Sequence, residues 1–129
     1  MYRGRAPSPA TIIAVPTFDD ARRIALGLPE AAERPCWGTP AFYVRQRFFA
    51  RLLEDDERIV VKCSRDERRA LAAQRPEAFG STAHYDKHES VLVTLAAVDP
   101  AHLREVLVAA WRMVAPKPLL RVYDATPVP

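Results

Sequence analysis

The stretch from Cys36 to Cys63 leaves few ways for this chain to fold. Aromatic and β-branched residues crowd into Ala41–Val44, Phe48–Leu53 and Ile59–Val61, the composition that pleated strands favour. Between them stand Arg45-Gln46-Arg47 and Glu54-Asp55-Asp56-Glu57, too polar to bury and short enough for hairpin turns. The pattern predicts a three-stranded antiparallel meander. Strict alternation puts Phe48, Ala50 and Leu52 on one face and Phe49, Arg51 and Leu53 on the other. Neither face is wholly polar, so the second is expected to be partly covered or to serve as an interaction surface.

Helical segments flank the meander and must cover one face. Thr17 caps the first, and Phe18, Ala21, Ile24, Ala25 and Leu28 form its apolar side until Pro29 stops it. Glu30–Pro35 is a linker or the entry to a strand ending at Trp37, and Gly38-Thr39-Pro40 is a turn. Ser64-Arg65-Asp66-Glu67 is a capping box for the second helix, which Pro76 ends or breaks. His84–Ala97 reads as strand, hairpin, strand. Asp99-Pro100 starts the last helix, whose stripe of Leu103, Val106, Leu107, Ala110, Trp111 and Val114 places Trp111 in the core. The prediction is one α+β domain over 17–118, an antiparallel sheet of meander plus hairpin packed against three helices. Residues 1–16 and 119–129, rich in proline, are expected to be tails. Within them Thr11–Val15 is a candidate edge strand, and Leu119–Tyr123 is able to dock on the body.

A length of 129 residues suits one core. No apolar run approaches the roughly 20 residues that span a bilayer, and Ile12–Val15 is too short for a signal-peptide core. The expected location is the cytoplasm, with Cys36 and Cys63 as reduced thiols. The net charge is +3, and 16 of the 19 basic residues are arginine. Sixteen acidic residues nearly balance them, so charge alone is a weak indicator of nucleic acid.

His84, Asp86, His88 and Glu89 are the densest titratable cluster. On a strand the first three would stretch over about 13 Å and could not share one ion, whereas a tight turn could gather them; a solvated hairpin rim is the expectation. The four glycines form no phosphate loop, and no serine sits in a nucleophile elbow. No catalytic residue, metal or cofactor is therefore expected. Arg45 and Arg47 at one hairpin tip, Arg51 and Lys62 on adjacent strands and Lys87 at the second hairpin are the candidate phosphate contacts, with Trp37 or Tyr43 near enough to stack on bases. Glu54–Glu57 opposes them on the neighbouring turn. Arg65, Arg68 and Arg69 mix with Asp66 and Glu67, as surface ion pairs on a helix do. Two alternatives stand beside DNA. One is a protein-interaction module or homodimer using a sheet face with Phe49 and Leu53. The other is a small-ligand pocket between Trp37, Tyr85 and the last helix, with His88 beside it.

Several short runs resemble the MmcQ/YjbR family. They are Leu28-Pro29-Glu30, Trp37-Gly38 ahead of Pro40-Ala41-Phe42, Arg47-Phe48-Phe49-Ala50, Val60-Val61-Lys62-Cys63 and Ala110–Lys117, and together they span about 17–118. The resemblance implies the family's double-wing α/β fold, and DNA binding as the activity ascribed to it. One departure is visible. Many members place a His-Trp pair before the final buried strand, whereas here Glu89 and Ser90 follow His88. An exposed aromatic is thereby lost, and the carboxylate disfavours phosphate at that point.

Overall fold

Six strands build one antiparallel sheet in the computed structural model of the chain, which describes residues 15–125. They are β1 (Ala31–Cys36), β2 (Thr39–Val44), β3 (Arg47–Leu52), β4 (Arg58–Lys62), β5 (Phe79–Gly80) and β6 (Ser90–Thr94), lying side by side as β1-β2-β3-β4-β6-β5. Four helices accompany them: α1 (Phe18–Leu26), α2 (Arg65–Gln74), α3 (Pro100–Val114) and α4 (Lys117–Ala125). The fold class is α+β, as the sequence predicts, with one strand more in the meander, β5 instead of an expected hairpin strand beside β6, and one helix more at the end.

Local chemistry explains most boundaries. Thr17 and Asp20 close a reciprocal capping box at α1: the Thr17 amide donates to the Asp20 carboxylate at 2.7 Å, and the Asp20 amide returns to Thr17 Oγ1 at 3.3 Å. Ser64 Oγ accepts the Glu67 amide at 3.1 Å, but the return bond expected from the Glu67 carboxylate is absent among the described residues. Asp99 accepts the His102 amide at 2.9 Å with Pro100 in the first turn of α3. The β1–β2 turn is Trp37-Gly38, both at positive φ (55° and 83°), whose twist matches the flanking strands. Glu30–Pro35 is thus largely strand rather than linker.

A bulge decides which side chains face which way. Phe42 pairs with Ala50 but Tyr43 pairs with Phe48, so Phe49 is an extra residue in β3. Strict alternation fails there. Phe49, Ala50 and Leu52 all turn to the helices, where they join Phe42, Val61, Val93, Leu103 and Trp111 in the main core. Phe48 and Leu53 fall on the opposite face with Val60 and Leu92, and Arg51 lies with them. The expected face of Phe49 with Leu53 does not exist, because Phe49 is fully buried. Phe49→Ala should therefore cost about 3–5 kcal/mol and Phe48→Ala less than half of that. Urea midpoints compare the two directly, and equal losses would mean that the bulge is misplaced.

Two other expectations change. The hairpin predicted within His84–Ala97 is absent: only β6 is strand, and 81–89 is a loop of turns. The domain also does not stop at 118. Residues 117–125 form α4, whose Leu119, Leu120 and Tyr123 pack on the core, in keeping with the docking foreseen for Leu119–Tyr123. Apart from Val15 and Pro16, the expected N-terminal tail and the edge strand at Thr11–Val15 lie outside the described residues.

Candidate functional site

Helices pack on one face of the sheet and leave the other open. On the open face lies a groove of about 970 Å³. Phe48, Leu53, Val60 and Leu92 supply its apolar floor, with Tyr85 packed against them. Such a volume is at the upper end of what small-molecule sites enclose. The β1–β2 turn carries Trp37 to one rim, the 81–89 loop forms another, and the β3–β4 turn brings Glu54, Asp55 and Arg58 to a third.

Three arginines hold these walls in place. Arg68, on α2, reaches across to the loop. One of its terminal nitrogens lies 2.9 Å from the Ser90 carbonyl, 3.1 Å from that of His88 and 3.4 Å from that of Tyr85; the other lies 3.1 Å from the Asp86 carbonyl. Arg65 donates to the Lys87 carbonyl. Only Arg69 makes the helix-surface pair expected of the three, with Asp66 at 3.1 Å. The loop's backbone is thus bound by guanidinium groups instead of by a strand ladder. Arg51 is 6% exposed and ties three elements together. It donates to the Cys36 carbonyl at 3.0 Å, to the Tyr85 hydroxyl at 3.4 Å and to Glu54 at 2.5 Å.

Charge in the groove is mostly neutralised. Arg58 meets Asp55 at 2.8 Å. Desolvation pushes the Asp55 carboxyl up, but the Glu57 amide and the Arg58 side chain outweigh it and hold the group below its usual range. Lys62, half-buried on β4, has no ion pair or hydrogen bond from its side chain among the described residues. Directly across on β6 is Ser90, 5% exposed, whose hydroxyl is buried without a partner among the described residues. His84, Tyr85 and His88 form a cluster of rings with centroids 4.7 to 6.2 Å apart. Among the described residues no three His, Cys, Asp or Glu side chains gather as a metal site. Both cysteines are free thiols; Cys36 stands at the groove edge, and burial pushes the Cys63 thiol up to about 11.

The two residue sets foreseen from sequence fare differently. Trp37, Tyr85 and His88 all line the groove, though on the sheet face opposite the last helix rather than against it. Of the basic set, Arg51 and Lys62 line it too. Arg45 is at the β2–β3 turn and pairs with Glu30 at 3.1 Å. Arg47 points to the helical side, 3.5 Å from the Val114 carbonyl at the end of α3. Lys87 sits in the loop, away from any hairpin tip. Sequence reasoning missed Phe48, Ser90 and Arg68. Phe48 was hidden by the bulge, and the other two matter only through partners distant in the chain.

The family model YjbR matches residues 26–113. The chain belongs to the YjbR family. It is 31% identical over 125 residues to Rv2570 of Mycobacterium tuberculosis and to Mb2600 of Mycobacterium bovis, both described as uncharacterised; each match covers 84% of this chain and 96% of the relative. The crystal structure of Deinococcus radiodurans protein DR2400, with family-model domain DUF419, superposes with a TM-score of 0.68 at 23% identity, over 87% of this chain and 91% of that one. That likeness establishes a shared fold for this YjbR protein. Among its described residues no helix is long and apolar enough to cross a membrane.

Proposed function

We propose that this YjbR protein binds a small, planar, largely apolar ligand in the groove on the open face of its sheet, and that it works by binding rather than by catalysis. Trp37 carries the reading. It is 84% exposed and sits at φ +55°, a left-handed conformation that asparagine or glycine adopts far more readily. Glu30, Arg45 and Asp56 share this turn conformation, so what sets Trp37 apart is a large aromatic left exposed at the rim of a cavity. Exposed indole at such a rim is what recognition of a ring would use. An indole there can close over a ring lying on Phe48, Leu53 and Leu92.

Nucleic acid is the second reading, favoured by the net charge of +3 and by Trp37 and Tyr85 standing where unstacked bases would meet them. Contacts through the hairpin tips have less support, since Arg45 is paired and Arg47 is turned to the other face. Trp37→Asn separates these ideas from a structural role. The variant should melt at or above the wild-type temperature, because strain is relieved. Binding of N-phenyl-1-naphthylamine, a neutral probe that brightens in apolar sites, should weaken at least about tenfold. A dT oligonucleotide titrated at two salt concentrations tests the second reading. Salt-sensitive oligonucleotide binding without dye binding would replace the first reading by the second. A chain that binds neither would sink both.

A further inference from the structure

We infer that the ligand of the groove is a planar aromatic acid, its carboxylate or comparable oxyanion seated between Lys62 and Ser90. This rests on the small-ligand reading above and specifies the chemistry of the ligand. Two independent observations converge on one spot. Among the described residues Lys62 is the cation of the groove lining that no carboxylate neutralises, whereas Arg51 and Arg58 are held by Glu54 and Asp55. The Ser90 hydroxyl is buried in the same lining and has no hydrogen-bond partner among the described residues, although buried hydroxyls are nearly always paired.

The two residues face each other across β4 and β6, a register that brings their Cβ atoms to about 5 Å. An oxyanion between them accepts a charge-assisted bond from the ammonium and a second from the hydroxyl. Val60 and Leu92 precede and follow this pair on the same face and continue into the apolar floor. An anion anchored at Lys62 and Ser90 therefore extends its ring system over them. Glu89 also borders the site, but it is exposed and pairs with no cation among the described residues. Its charge lowers the attraction for an anion without abolishing it, because an exposed carboxylate is screened by water and salt.

The matched probes 2-naphthoate and 2-naphthamide, titrated calorimetrically into the full chain, test this. They share ring and shape and differ in charge. Wild type should prefer naphthoate by about tenfold. Lys62→Met should abolish the preference. Ser90→Ala should weaken naphthoate several-fold without loss of melting temperature, since it removes an unpaired buried hydroxyl. Glu89→Gln should strengthen naphthoate and leave naphthamide alone. Equal affinities for the two probes, insensitive to Lys62→Met, would overturn the anion site and leave the groove reading intact. If neither probe binds, both fall together.

Discussion

Trp111→Ala is expected to cost about 3–5 kcal/mol and to lower the melting temperature by more than about 10 °C. The side chain is fully buried towards the C-terminal end of the α3 stripe, and its ring lies 5.0 Å from that of Tyr123 on α4. Its indole N–H donates to the Pro29 carbonyl at 3.0 Å. One residue thus fastens α3 to the α1–β1 connection and to α4. Trp111→Phe divides the loss into parts. Most of the apolar contact survives, while the Pro29 carbonyl loses its donor, a cost of about 1–3 kcal/mol. Calorimetric melting of both variants reads the effect. A Trp111→Ala protein melting within two or so degrees of wild type would mean that the core does not depend on this side chain.

Arg68→Ala is expected to free the loop at 81–89 without unfolding the sheet. Four carbonyls of the segment 85–90 take bonds from this one guanidinium, which is itself mostly buried. Bonds from a charged donor contribute about 1.5–3 kcal/mol each but do not add, because one side chain makes them all. A fall of about 3 kcal/mol in the opening free energy corresponds to roughly 100-fold more opening. Tryptic cleavage after Lys87 should accelerate by about that factor, with a much smaller change in the global urea midpoint. Arg69→Ala, which removes only the exposed pair with Asp66, serves as the control. Unchanged cleavage in Arg68→Ala would mean that the loop is held by something other than Arg68. The groove should suffer with the loop, since Tyr85, His84 and His88 are carried on it.

These two variants mark different kinds of legibility. Trp111 was visible in the sequence because helical periodicity is a local property: a stripe of apolar residues at three- and four-residue spacing has one face to bury, whatever lies opposite. Caps at Thr17, Ser64 and Asp99 are legible for the same reason, as each bond closes within three residues. The strands of the meander and their polar turns follow from alternation and from turn composition. The sequence by itself therefore determined the first three helices, the meander, their order and the family, but not β5, the loop at 81–89 or α4.

Tertiary structure alone decided which side chains the site contains. The bulge at Phe49 exists only in the register between β2 and β3, and a slip of one residue moves Phe48 to the open face and Phe49 to the core. Arg47 and Arg51 are both basic residues of one strand, yet that slip and their partners send them to opposite sides of the sheet. Arg68 looked like helix surface because its carbonyl partners lie 17 to 22 residues away, and a long guanidinium bonds to whatever the fold brings within reach. The pairing of Lys62 with an unpartnered Ser90 belongs to the same class: each residue is unremarked in its own neighbourhood, and only the β4–β6 ladder sets them face to face.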